Sequence, residues 1–287
     1  MAAGTSLNKT AIDIDRIEAA RRNAVIGRKT IVFKSTASTN DAAWRYASNS
    51  LHHGLCVLAE SQTQGRGRRG RTWYSQSGQS ILCSILLLDQ SIEAELLTLT
   101  AAVATAEAIN KFAWQQQNDC AGTAQPPKCR IKWPNDILVN DKKAAGILVE
   151  KQTVGRRHNF VVGIGINCSQ PPEFFAAHDL NFPATSLAIE TGRPIERTAL
   201  VCELLAQFET WLDKTRAGRG GPAENPVIAC WFKLSGMLGR RATVECDGRQ
   251  YSGTCRGIDP AQGLILQLDG GAVRFFHASQ TSLTALE

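Results

Sequence analysis

The sequence has no long apolar run. Its most hydrophobic stretch, residues 81–88, falls far short of the roughly 20 residues that cross a bilayer, so no membrane-spanning helix is expected. Residues 1–9 contain no apolar core of the kind a secretory signal needs. The nine cysteines form no Cys-x-x-Cys pair, and an odd number without framework spacing predicts reduced thiols in a cytoplasmic protein. Five dispersed histidines join no cysteine cluster, which argues against a zinc site. There is no internal repeat, no low-complexity tract and no GxxxxGK[ST] segment, so a P-loop phosphate cradle is excluded.

What is present is an ordinary globular composition over 287 residues, 43% hydrophobic and 20% charged. That length suits one large domain, or a medium one with a small partner, and buries enough core to need no disulfide. A net charge of +6 points mildly to nucleotides, nucleic acids or acidic proteins without choosing among them.

Residues 1–30 read as a polar arm, with helical spacing at 12–20. Strands are predicted at 31–33, 55–59, 81–88, 129–132, 137–139, 144–151 and 159–166, and a helix at 41–47. The clearest helix spans 93–114, where Leu96, Leu99, Val103, Ala106 and Ile109 recur at three- and four-residue spacing. A second amphipathic helix at 196–214 carries Leu200, Leu204, Phe208 and Trp211. A loop is expected at 118–127, and a Gly/Pro-rich linker at 217–226. Beyond the linker, short strands separated by Asp247-Gly248 and Asp269-Gly270 predict a small all-β barrel. The domains are therefore placed at 31–226 and 227–287, after the arm.

Several segments carry chemistry. Gln62 precedes the run Gly65-Arg66-Gly67-Arg68-Arg69-Gly70-Arg71. Glycines let backbone amides approach a ligand, and arginines offer fixed planar donors to phosphate or carboxylate. A loop that orders over an anion is expected; a solvated charge run or an RNA-binding tract are the alternatives. In Lys132-Trp133-Pro134-Asn135-Asp136, a tight turn joins two strands, and Trp133 could equally be core. Lys143, just before Ala144-Ala145-Gly146, can point into a cleft, or be a solvated hairpin lysine. Gly163 and Gly165 alternate before Asn167, baring one strand face for a flat ligand or for close helix packing. Ser38, Thr39 and Asn40 could bind a polar head group, or cap a helix.

Taken together and in this order, these segments resemble the biotin–protein ligase family over residues 31–187. The resemblance implies an α+β fold: a mixed sheet flanked by helices, related to class II aminoacyl-tRNA synthetases and biotin ligases, with a C-terminal SH3-like β-barrel. It implies an enzyme that joins ATP and biotin, with Mg²⁺, into biotinyl-5'-AMP and passes biotin to a lysine of a biotin carboxyl carrier protein. Ser38, Thr39 and Gln62 would bind the ureido head, with Asn40 supporting their turn. Gly65, Gly67, Gly146 and Gly163 would line the biotin site with bare backbone. Arg66, Arg68 and Arg71 would close over the adenylate, Lys143 would sit by the carboxylate and α-phosphate, and Trp133, Asn135 and Asn167 would lie on the nucleotide side. The catalytic set would be Lys143, Arg68 and Asp136, the last as base for the acceptor lysine unless it merely caps its turn.

Some members of the family carry an N-terminal winged helix and repress transcription. The arm here is too short for such a module, so no DNA partner is expected. A homodimer built through sheet edges would leave no mark in such a sequence. A lipoate or octanoyl ligase would share the fold but not the Gly/Arg loop with KWPND. An RNA-binding module would need aromatics interleaved with the arginines, and only Trp73 and Tyr74 lie near.

Overall fold

The computed structural model describes residues 11–118, 129–155, 157–180, 182–217 and 225–287, and the side chains of all of these except 113–118. The loop expected at 118–127 and the linker at 217–226 lie, apart from their ends, outside the described residues.

A seven-stranded mixed sheet forms the centre, in the order β1-β2-β3-β7-β6-β5-β4. β1 (Thr30–Phe33) pairs in parallel with β2 (Cys56–Ala59), and every other neighbour is antiparallel. β3 (Ser80–Gln90) is apolar almost throughout because both of its faces are covered. Ile81, Cys83, Ile85 and Leu87 face the core that includes α3 (Ala94–Asn118) and α6 (Arg197–Ala217). Leu86 and Leu88 instead meet Ala42 and Ala43 of α2 (Thr39–Trp44). Beside β3 runs β7 (Arg157–Asn167), followed by β6 (Lys142–Val154), β5 (Asp136–Val139) and β4 (Cys129–Lys132).

The helix expected in the arm is α1 (Ile14–Ala20), capped by Asp13, with Ile17 fully buried. Its following turn is fixed to α6: Arg21 pairs with Glu209, whose carboxylate also accepts the Val25 and Ile26 amides.

The predicted tail strands are β8 (Arg241–Cys246), β9 (Arg249–Asp259), β10 (Gly263–Leu268) and β11 (Val273–Phe276). The structure adds β12 (Thr281–Leu286), giving an antiparallel sheet of order β11-β10-β9-β8-β12. Among the described residues its outer strands β11 and β12 do not pair, so the sheet stays open. Asp247 and Gly248 take φ of 51° and 74°, as a tight hairpin demands. Three helices were not anticipated: α4 (Pro172–Ala176), α5 (Leu187–Thr191) and α7 (Pro226–Ser235). For α7 the signals were there: Asn225 caps it, Pro226 opens it, and Gly236 closes it at φ 62°. No helix of the described residues is long and apolar enough to cross a membrane.

Candidate active site

On the sheet face that carries α2, the side chains give out. Gly163 pairs with Ser84 of β3, and Gly165 pairs with Gly146 of β6, so three glycines leave a flat floor. A cleft of about 720 Å³ stands on it. Every residue nominated from sequence lines this cleft except Gly65. Gly65 serves the loop instead: its carbonyl accepts the Trp73 amide, and a Cβ there would lie 2.4 Å from the Trp73 carbonyl oxygen.

One end of the cleft is a pocket of polar groups. Gln62 Oε1 accepts from the Thr39 amide at 2.8 Å and from its hydroxyl at 3.0 Å. Ser84 Oγ lies 2.8 Å from Thr39 Oγ1 and 2.6 Å from Asn40 Oδ1. Ser38 occupies the N-cap position of α2, yet its side chain makes no capping bond, so the helix does not consume its hydroxyl. Asn40 Nδ2 is buried without a partner. A Cβ on Gly163 would lie 2.5 Å from Asn40 Oδ1, which is why this position must be bare.

The other end is cationic. Lys143 Nζ is 2.6 Å from Asp136 Oδ1. Asn135 anchors its turn by donating Nδ2 to the Ile147 carbonyl, and its Oδ1 accepts from Arg68 Nη1 at 3.1 Å. Burial pulls the Arg68 guanidinium below its ordinary range, and burial does the same to Lys132, whose ammonium sits 3.7 Å over the Phe182 ring. Trp133 is fully buried with its indole N–H unpartnered. Asn167 lines the cleft and is held within the protein: Nδ2 donates to the Thr185 carbonyl and Oδ1 accepts from Gln170. Through Thr185 this supports Lys143, whose backbone pairs with Pro183 and Thr185.

The Gly/Arg loop covers the cleft between these ends. An isolated bridge pairs Arg66 with Thr72, and the Gly67 amide donates to the Arg71 carbonyl at 2.7 Å. Arg69 takes a left-handed conformation, φ 56°. Arg66 is gripped by Asp41 and Glu150, and Arg71 stays exposed at the rim. Arg68 Nη2 also donates to the Ala278 carbonyl, and Arg69 Nη1 to Ser282 Oγ at 2.8 Å. The turn between β11 and β12 and the start of β12 therefore hold the loop from outside.

Sequence reasoning missed these C-terminal contacts, and it missed Trp73. The Trp73 ring lies along the glycine floor: a Cβ on Gly165 would come within 2.6 Å of Cε2, and one on Gly146 within 3.0 Å of Cζ3. An aromatic directly after the loop, opposite a strand with alternate glycines, was the available signal. Tyr74 and Phe174 both pack on His178, at 4.1 and 4.7 Å between centroids. No sequence signal linked these three.

A polar pocket, a flat floor and a cationic end under one basic loop suit an elongated ligand with a polar head and an anionic tail. The model of the biotin/lipoate A/B protein ligase family matches residues 32–167. The fold is shared with a biotin protein ligase from Aquifex aeolicus, solved in complex with biotin and ATP: TM-score 0.69 and 24% identity, covering 90% of this chain and 99% of that one. The bifunctional ligase/repressor BirA of Bacillus subtilis is 32% identical over 261 residues, 90% of this chain and 75% of that protein. The biotin–[acetyl-CoA-carboxylase] ligase of Paracoccus denitrificans is 32% identical over 241 residues, spanning 82% of this chain and 93% of that protein. The chain belongs to the biotin–protein ligase family.

Proposed function

We propose that the protein is an ATP-dependent biotin–[acetyl-CoA-carboxylase] ligase. Biotin's carboxylate oxygen attacks the α-phosphorus of ATP, the bond to the β-phosphate oxygen breaks, and pyrophosphate leaves. The amine of a carrier-protein lysine then attacks the acyl carbon, loses its proton, and displaces AMP. One observation carries this: the Ser38–Gln62 pocket and the Lys143–Arg68 end lie at opposite ends of one glycine floor. The ureido head fits the first, where Asn40 and Ser38 supply polar groups not consumed by the helix. Carboxylate and phosphates meet at the second, where fixed cations offset the repulsion between two anions and stabilise the charge that develops. Gly146 and Gly165 make room for the Trp73 ring, and Gly163 for Asn40, so that both stand beside the ligand, and the Gly65–Arg71 loop excludes water from the adenylate.

In this scheme Asn135 and Trp133 shape the nucleotide side, while Asn167 positions the strand that carries Lys143. Asp136 is the base for the acceptor amine. Among the described residues no three His, Cys, Asp or Glu side chains are grouped to hold a metal. Mg²⁺ would enter with ATP, held mainly by its phosphates and water, where it would neutralise phosphate charge. We also assign residues 227–287 as an SH3-like domain on the catalytic domain 31–226, the acceptor as a biotin carboxyl carrier protein, and the cytoplasm as the setting.

The test is pyrophosphate release from ATP by purified protein, with biotin, without it, or with lipoate in its place. Release that requires biotin is expected. Release with lipoate alone would move the activity to the lipoate branch, and none with either would overturn the assignment.

A further inference from the structure

The two arginines expected to act together on the substrate are held by different kinds of partner. Arg66 donates to both oxygens of Asp41, at 2.6 and 2.7 Å, and to Glu150 Oε1 at 3.1 Å. A single positive charge thus faces two carboxylates. Arg68 donates only to neutral oxygens, Asn135 Oδ1 and the Ala278 carbonyl. Of the two carboxylates that attract it, Asp136 is already paired with Lys143 and Glu95 is buried. An anion entering the cleft therefore meets an available charge on Arg68 and a compensated one on Arg66.

We propose that Asp41 and Glu150 are positioning residues that clasp Arg66 and hold the Gly/Arg loop shut over the head-group end of the cleft, leaving Arg68 as the loop's cation for the substrate anions.

The clasp joins three elements. Asp41 lies on α2, directly after Ser38, Thr39 and Asn40; Glu150 lies on β6, beyond Gly146; Arg66 lies on the loop. Arg66 lines the cleft whereas Asp41 and Glu150 do not, so the guanidinium reaches outward across the rim. Glu150 is itself fixed, because its second oxygen accepts from Trp44 Nε1 at 2.9 Å. Pairing with Arg66 also holds the Asp41 carboxyl below its usual range. All three side chains are partly exposed. Pairs of this kind are individually weak, so the clasp can open to admit substrate and reclose on the adenylate.

This inference rests on the ligase assignment, and two measurements separate their failures. The first uses no substrate. Trypsin is applied to the protein alone, and cleavage at Arg66–Arg71 is followed for the wild type, Asp41→Asn and Asp41→Asn/Glu150→Gln. These near-isosteric changes keep the shape of the folded protein. Loop cleavage about fivefold faster in the double variant is expected, for the loss of a bidentate pair and its neighbour. The second loads the enzyme with biotin and α-phosphate-labelled ATP. The burst of adenylate is recorded, and then its escape through a desalting column. The ratio of escape rate to burst rate is expected to rise about fivefold or more in the double variant. Arg66→Ala should raise it equally, and adding the acidic substitutions to Arg66→Ala should change nothing further. Wild-type cleavage and wild-type escape in the double variant would overturn the clasp. So would an Arg66→Ala variant that loses the burst without faster escape, since Arg66 would then serve the substrate. Absence of any burst in the wild type would instead count against the ligase assignment, with the trypsin result still deciding the clasp.

Discussion

Lys143 and Asp136 stand 2.6 Å apart on strands β6 and β5, at the cationic end of the cleft. Each side chain is therefore occupied by the other. Under the proposed function, an incoming carboxylate and α-phosphate would compete with Asp136 for the ammonium, and Lys143 turning to the phosphate would release Asp136 to the acceptor amine. Lys143→Met should slow adenylate formation by about two orders of magnitude, as loss of a preorganised charge does. Asp136→Asn should leave adenylation far less affected and slow transfer to the carrier lysine by about tenfold or more. Single-turnover measurement of the two half-reactions checks both. Equal slowing of both half-reactions in Asp136→Asn would remove the base role.

Gly163 carries no side chain because Asn40 occupies the space. A Cβ there lies 2.5 Å from Asn40 Oδ1, and that oxygen is held 2.6 Å from Ser84 Oγ. Asn40 cannot shift without breaking the hydrogen bond that supports the Thr39–Gln62 pocket. Gly163→Ala should raise the KM for biotin about tenfold, with the KM for ATP within about twofold, because disrupting one hydrogen bond in the pocket costs about 1 to 2 kcal/mol. An unchanged KM for biotin would show that the head group binds elsewhere.

The central sheet was legible because its strands are either continuous apolar runs or bounded by turn residues. β3 and the two long helices needed nothing more than periodicity. Most of the cleft was also legible, since glycine spacing and arginine clustering are local patterns. What sequence could not show depends on interactions between distant segments. Asn167 was expected on the nucleotide side from the family resemblance, and only the fold shows its amide bonded to Thr185 and Gln170. Arg66 and Arg68 are two residues apart and chemically identical. Their different partners, Asp41 and Glu150 against Asn135 and Ala278, come from four separate parts of the chain. β12 was missed because Thr281–Leu286 has no valine, isoleucine or aromatic residue; it is a strand because β8 offers it an edge.

Arg197 illustrates a charge retained for structure. It is almost fully buried and donates to Glu60 at 2.7 Å and to the Ser80 carbonyl at 3.0 Å. The other Glu60 oxygen accepts the Ile12 amide at 2.9 Å, tying the segment before α1 to the same pair. Replacement by Met would leave the largely covered Glu60 carboxylate without its Arg197 partner. Arg197→Met should therefore cost about 3–5 kcal/mol of unfolding free energy, measurable by urea denaturation. A loss under about 1 kcal/mol would show that water replaces the guanidinium at little cost.

Glu95 makes stability depend on pH. It lies near the start of α3 with its side chain only 5% exposed, and His277 Nε2 stands 3.8 Å away. Burial pushes this carboxyl up from 4.5 to about 7, outweighing the pull of the Ala278 backbone and of Arg68, while Asp259 pushes the same way. A carboxyl whose folded value is raised binds its proton more tightly folded than unfolded. Its contribution is thus fully present below pH 4.5 and is lost as pH rises through about 7. Above that, the folded protein holds a buried anion. Glu95→Gln keeps the shape and cannot ionise, so it should gain on the wild type between pH 5 and pH 8. The gain is at most about 3 kcal/mol, the equivalent of the whole shift. Unfolding curves of both proteins across that range decide it. Parallel pH profiles would mean that His277 and Arg68 fully compensate the Glu95 anion. A widening gap in favour of Gln would mean that they do not, and that the junction between α3 and the β11–β12 turn loosens as pH rises.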